Sequence, residues 1–220
     1  PQETLIGVST LKGLEHTKNF HKEMKKAQKL DLIDHEIKAV LGGRVPYDFP
    51  PASLVGDGFL SIGDSAFQNK PFNGEGMASG MKAAQLALPS IKKAIETKNY
   101  SRKTLWGYNV SFFRGFGSDF ALIRGTGETL VELTPEEFNW MFENGFIDQK
   151  MMESTWKTYK AKTGPKIIVT GLKGLKNGKL FRKILGGIAL GGKLQKHYKK
   201  YPKSPEGLPQ WKEKFHKILN

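Results

Sequence analysis

The stretch GDSAFQNKPFNGEGM, residues 63–77, follows an apolar run and ends where a segment rich in Ala and Met begins. Its first pair, Gly63-Asp64, sets one carboxylate at the end of a β-like run, and its last residues, Gly74-Glu75-Gly76-Met77, open a helix read from MASGMKAAQLAL. A glycine beside the carboxylate lets a ligand come close to the backbone, and Asp64 offers a charged acceptor for hydroxyl groups. Gly74 and Gly76 leave the first N–H groups of the helix uncovered, at an end that carries about half a positive charge. Such a turn suits a ligand that is a polyol in one part and takes up negative charge in another. Reduced flavin meets both demands, through its ribityl hydroxyls and its pyrimidine ring.

Working outward, SLVGDGFLSI (53–62) reads as a tight turn at Gly56-Asp57-Gly58 followed by a buried strand of about four residues at 59–62. GGRVPYDFPP (42–51), with two glycines and three prolines, is a loop, and TLIGVST (4–10) is a strand. In 17–30, Phe20, Met24, Ala27 and Leu30 fall at helical spacing. Pro89 should stop or kink the helix that begins at Met77. A further helix is expected around 100–110. Thr134, Pro135 and Glu137 form a capping-box start, and Asp148 caps another helix carrying Trp156 and Tyr159.

The 220 residues suffice for one domain with a sizeable core or for two small ones, and they contain no cysteine. Disulfides, thiolate metal sites and thiol nucleophiles are thereby excluded, which fits a reducing compartment. His16, His21, His35, His197 and His216 show no metal-ligand spacing with carboxylates. No run of about 18 apolar residues spans a membrane. From Lys166 onward lie 14 of the 35 Lys and Arg but only Glu206 and Glu213, so this end carries +12 of the net +14. Seven glycines interrupt its apolar and lysine residues between 165 and 202, so its helices are expected to be short or marginal unless something packs on them. Pro1 leads straight into a strand-like run, and the chain is expected to be a piece of a longer one.

DGFLSIGDSAFQNKPFNGEGMASGMKAAQLA, residues 57–87, resembles the second FAD motif of the geranylgeranyl reductase family of flavoproteins. That motif reads strand, Gly-Asp-Ala-Ala, Pro seven residues after the Asp, Gly-Glu-Gly-Ile, then a Ser-Gly helix. Pro71, Gly74-Glu75-Gly76 and Ser79-Gly80 are in register; the departures are Ser65, Lys70 where Asn is common, and Met77 for Ile. The flanks PYDFPPASLVGDG and YSRKTLWGYNVSFFRGFG are similar to the family as well, so that the resemblance covers about 45–120.

The resemblance implies an α/β fold with an α+β mix, the C-terminal part of an FAD/NAD(P)-binding Rossmann-like flavoprotein, followed by a mainly helical region. In it, 1–45 would belong to a substrate-binding sheet and helix, 46–99 to the FAD motif, 100–165 to a helical region and 166–220 to a basic tail. Cofactor-binding residues would be Gly63, Asp64, Pro71, Gly74, Gly76 and Met77. Asp64 would hold the ribityl chain of FAD, and the N–H groups of Gly76 and Met77 would support the reduced ring. The reaction implied is reduction of C=C bonds in geranylgeranyl chains of membrane lipid precursors; no residue is assigned as catalytic. The Gly-x-Gly-x-x-Gly turn that grips the dinucleotide in such proteins is not supplied by GTGETL or GGKLQK. A missing N-terminal half is therefore an expected partner, and the chain alone should bind FAD weakly or not at all.

The same flavin turn would serve an aromatic monooxygenase or a quinone-linked electron carrier. A non-enzymatic basic membrane-binding module is the third reading. Trp106, Tyr108, Phe112, Phe113 and Phe116 either line a lipid tunnel or pack a core. Prenyl lipid is the expected substrate and nucleic acid is not an expected partner. An anionic membrane surface is expected against 166–203, with a cytoplasmic location on the inner face of the cell membrane.

Overall fold

The computed structural model describes residues 42–145 and 178–220, together with Lys18, Asn19, Lys22, Ala39, Ile147, Gln149 and Glu153. The chain divides into two compact units, Pro1–Arg44 and Val45–Asn220, and the second is described below. The expected strand at 4–10, most of the helix at 17–30, and all but Gln149 and Glu153 of the helix after Asp148 lie outside the described residues.

Among its described residues, the second unit is dominated by helices, with one small sheet. Strands β1 (Val55–Gly56) and β2 (Phe59–Leu60) pair antiparallel, Val55 opposite Leu60 and Gly56 opposite Phe59. The turn between them is Asp57-Gly58, with Gly58 at φ 77. The expected buried four-residue strand is corrected here: only Phe59 and Leu60 pair, and Phe59 is 59% exposed, because the chain leaves the ladder to wind a 3₁₀ turn at Gly63–Ala66.

Helix α1 spans Met77–Glu96 and runs through Pro89 without stopping. Proline removes one intrahelical donor, but Pro89 sits at an exposed position where water can serve the freed carbonyl. The buried face, Ser79, Ala83, Ala87, Ser90 and Ala94, continues on both sides of it and packs on α2 (Arg102–Arg114). Two elements start α2: the Ser101 hydroxyl accepts from the Thr104 amide, and Asp57 Oδ1 accepts from the Arg102 amide at 2.6 Å, which ties the hairpin turn to the helix. Helix α3 (Phe116–Leu130) follows after a break at Gly115. The capping box predicted at Thr134 is present at the head of α4 (Pro135–Glu143), with Thr134 and Glu137 bonded reciprocally at 3.2 and 3.1 Å.

The glycine-rich segment from 178 forms one 21-residue helix, α5 (Gly178–Tyr198), and after a 3₁₀ turn at Pro205–Gly207 the chain ends in α6 (Leu208–Leu219). The condition for a stable helix is met by α3, which packs on α5 more extensively than any other pair of elements. Backbone approach is closest at two glycines. A Cβ on Gly191 would meet the Leu122 carbonyl and Thr126 Oγ1 (2.5 Å), and one on Gly187 would meet Thr129 Oγ1 (2.5 Å). Their neighbours Gly186 and Gly192 face open space.

The aromatic residues of α2 and α3 are core. Trp106, Tyr108, Phe112, Phe113 and Phe116 are all at most 5% exposed and pack with Leu194, Tyr198, Tyr201 and Trp211 from the basic end. Met141, Ile147, Leu180 and Ile184 make a second, smaller cluster between α4 and α5.

The two glycine environments predict opposite effects of one methyl group. Gly191→Ala should destabilise by about 1–3 kcal/mol, since the helix backbones must move apart. Gly186→Ala should stabilise by about 0.5–1 kcal/mol, since it adds helix propensity in open space. Urea denaturation midpoints of the two variants against wild type check both signs.

Candidate functional site

The stretch from the 3₁₀ turn to α1 is held in a left-handed backbone at three residues, Gly63 (φ 73), Phe67 (φ 52) and Gly74 (φ 72). Its shape is fixed from both ends. The Gly63 amide donates to Gln68 Oε1 at 2.8 Å, the Gln68 Nε2 group donates to the Tyr108 hydroxyl at 2.7 Å, and that hydroxyl donates to the Ser61 carbonyl at 3.1 Å. Gln68 and Tyr108 have no solvent exposure, so this chain of bonds carries the order of the core out to Gly63-Asp64. Burial pushes the Tyr108 hydroxyl up to about 12.

Toward α1, the Lys70 amide donates to the Glu75 carbonyl and the Gly74 amide to the Lys70 carbonyl, each at 2.8 Å. The Lys70 side chain is turned inward, its Nζ 3.8 Å from Glu75 Oε2. Glu75 Oε1 accepts from the Ala78 amide at 2.7 Å, and the Ser79 hydroxyl bonds the carbonyls of Glu75 and Gly76. Glu75 thus caps the helix, which occupies one of its unpaired N–H groups and leaves the head of α1 open at Gly76 and Met77.

Val45, Asp64, Asn69, Gly74, Gly76 and Met77 line an open cleft of about 370 Å³ at this helix end. Of the residues expected to bind a cofactor, Asp64, Gly74, Gly76 and Met77 come together there. Gly63 and Pro71 are not among its lining residues; Gly63 sits in the bonded turn and Pro71 in the turn at 71–73. Val45 is delivered by the Pro-rich approach, whose Tyr47 and Phe49 rings lie 4.3 and 5.5 Å from the Arg124 guanidinium of α3. Asn69 was not singled out in the sequence. It is 5% exposed, its amide nitrogen donates to the Pro46 carbonyl at 3.5 Å, and its Oδ1 has no hydrogen-bond partner. A Cβ on Gly76 would sit 2.6 Å from that Oδ1 and 3.3 Å from Asp64 Oδ1. Two acceptor oxygens therefore converge on the space that Gly76 leaves empty, beside amide donors. The signal that could have found Asn69 is its position one residue before Lys70, where the resembling motif commonly carries Asn.

No family model matches the chain. Over 215 residues, 97% of its length, it is 23% identical to digeranylgeranylglycerophospholipid reductase from Sulfolobus acidocaldarius. The chain is similar to digeranylgeranylglycerophospholipid reductases. With reductase 1 of this name from Methanococcoides burtonii it is 29% identical over 99 residues, 45% of the chain and 24% of the relative. With reductase 2 from Methanopyrus kandleri it is 30% identical over 101 residues, 46% of the chain and 26% of the relative. The chain spans about half the length of the Sulfolobus reductase, 48%.

An orphaned acceptor, a carboxylate and an uncovered helix end are a donor-and-acceptor set that fits the polyol and electron-rich ring of a flavin. Among the described residues, no group of three or more His, Asp or Glu is placed to hold a metal ion.

Tyr108→Phe leaves Gln68 Nε2 without its buried acceptor and should lower stability by about 1–3 kcal/mol. The pKa of Tyr108 is about 12 in the folded chain against the ordinary 10.0, so the fold favours the neutral phenol. Its contribution is complete below pH 10 and is lost as pH rises toward 12. Urea midpoints followed across that range should fall more steeply in wild type than in Tyr108→Phe.

Proposed function

We propose that the chain is the C-terminal portion of an FAD-dependent reductase that reduces C=C bonds in the geranylgeranyl chains of membrane lipid precursors. Its fold is then the second half of a Rossmann-like flavoprotein, working at the cytoplasmic side of the cell membrane with an N-terminal half, in the same or a separate polypeptide. The observation that carries this reading is the convergence of Asp64 Oδ1 and Asn69 Oδ1 on the space beside Gly76 at the head of α1. The likeness to proteins named as reductases of a geranylgeranyl lipid supports the substrate class.

In this reading Asp64 and Asn69 accept hydrogen bonds from the ribityl hydroxyls, and the Gly76 and Met77 amides stabilise the electron-rich edge of the ring. Lys70 occupies the place where Asn is common, and Asn69 supplies the amide from one residue earlier. Bound FAD supplies the hydride for the reduction. Gly76 must stay without a side chain, because a Cβ there displaces Asn69 Oδ1.

Fluorescence titration of the purified chain with FAD and with riboflavin tests the reading, alongside a gel for co-purifying polypeptides. Binding by the chain alone should be weak, and a co-purifying polypeptide should strengthen it. Asp64→Ala should raise Kd about tenfold and Asn69→Ala about fivefold, the loss of a charged and of a neutral acceptor. Equal affinity in wild type and both variants would mean that flavin does not use this cleft.

A further inference from the structure

Residues 178–220 hold eleven Lys and Arg against two acidic groups, Glu206 and Glu213. Among the described residues, two of these cations have close carboxylate partners: Lys183 lies 3.5 Å from Glu137, and Lys217 2.6 Å from Glu213. On α5 (Gly178–Tyr198) the apolar residues Leu180, Ile184 and Leu194 face inward with Gly187 and Gly191. Helical spacing puts Arg182, Ala189, Lys193 and Lys196 on the opposite, exposed stripe, and Leu185, 44% exposed, lies on it too. Lys200 follows just past the helix end and is exposed.

A second element brings charge to the same place. Lys214 of α6 (Leu208–Leu219) and Lys200 both bear on His197, whose ring stacks on Trp211 at 4.6 Å and whose Nε2 bonds the Trp211 carbonyl. Burial first, then these two cations, hold His197 below the ordinary histidine range. Lys200, just past the end of α5, and Lys214 of α6 thus converge at the joint between the two helices.

We propose that the outer face of α5 and the adjoining edge of α6, carrying Lys193, Lys196, Lys200 and Lys214, form a docking surface for an anionic lipid bilayer. Charge complementarity supports it, since each cation near an anionic leaflet strengthens partitioning about fivefold. Nucleic acid is the poorer fit. The aromatic rings of this region are spent inside: Tyr198, Tyr201 and Trp211 are at most 5% exposed, so they offer no platform for base stacking. The exposed apolar side chain on the lysine stripe is aliphatic, Leu185, and suits the boundary between headgroups and acyl chains. No described helix is long and apolar enough to cross a membrane. The inference rests on surface charge and not on the flavin reading.

The test is co-sedimentation of the 220-residue chain with vesicles of phosphatidylcholine alone and of phosphatidylcholine with phosphatidylglycerol, in the presence and absence of duplex DNA. Binding is expected on the anionic vesicles only, falling with salt and unaffected by DNA. Lys200→Glu/Lys214→Glu should weaken it at least about tenfold. Lys193→Glu/Lys196→Glu, which leaves the surroundings of His197 alone, should do the same. Lys92→Glu/Lys93→Glu on the exposed end of α1 makes the same charge change elsewhere and should leave binding unchanged. Equal loss in all three variants, equal binding to neutral vesicles, or displacement by DNA overturns the proposal. Flavin titration of the same variants keeps the two readings separate, since a failure of one leaves the other readout intact.

Discussion

The seating of Tyr201 against α2 (Arg102–Arg114) holds the two described parts of the 45–220 unit together. Its ring has no solvent exposure and lies parallel to Phe113 at 4.2 Å, with Trp211 at 5.0 Å and Trp106 at 5.6 Å. Its hydroxyl donates to the Ala52 carbonyl at 2.6 Å, and its own carbonyl accepts from the Arg114 guanidinium. One residue therefore ties the loop before the hairpin, the middle of α2 and the start of the last helix. Ring contacts of this kind contribute about 0.5–1.5 kcal/mol each beyond area burial. Burial drives the Tyr201 hydroxyl pKa upward, so the phenol stays neutral and keeps donating.

From that hub the order passes to the cleft through polar groups. Asn109, on the same helix and fully buried, accepts from the Leu54 amide at 2.8 Å and donates to Ser53 Oγ at 3.0 Å, which sets the start of β1 (Val55–Gly56). One residue earlier, Tyr108 reaches Ser61 and Gln68 on the other side of the hairpin. Helix α2 thus grips both ends of the strand pair, which places Asp64 two residues beyond Ile62 with little freedom. The cleft itself is open, but its walls rest on buried, hydrogen-bonded side chains.

What the sequence made legible was local. The capping box at Thr134 needs only four residues, and the head of α1 only the Gly-Glu-Gly turn, because side chains and backbone satisfy one another at short range. What it hid depended on distant partners. FGSDFALIRGTGETL and KILGGIALGGKL carry glycines that weaken a helix in isolation, and only the mutual approach of α3 (Phe116–Leu130) and α5 (Gly178–Tyr198) explains them. Asn69 was hidden for a related reason. Its unpartnered oxygen faces a missing Cβ seven residues on, and spacing alone does not reveal that.

The glycines of α5 also separate two demands that the sequence superimposes. Gly187 and Gly191 are four apart, share the inward face, and permit a backbone separation that alanine would not. Gly186 and Gly192 do nothing for that contact, and each lowers helix propensity by about 0.5–1 kcal/mol relative to alanine. A helix that keeps such residues on its solvent side is held by its neighbours and not by its own propensity. Its persistence over 21 residues therefore measures how much stability its packing on α3 and on the aromatic core contributes.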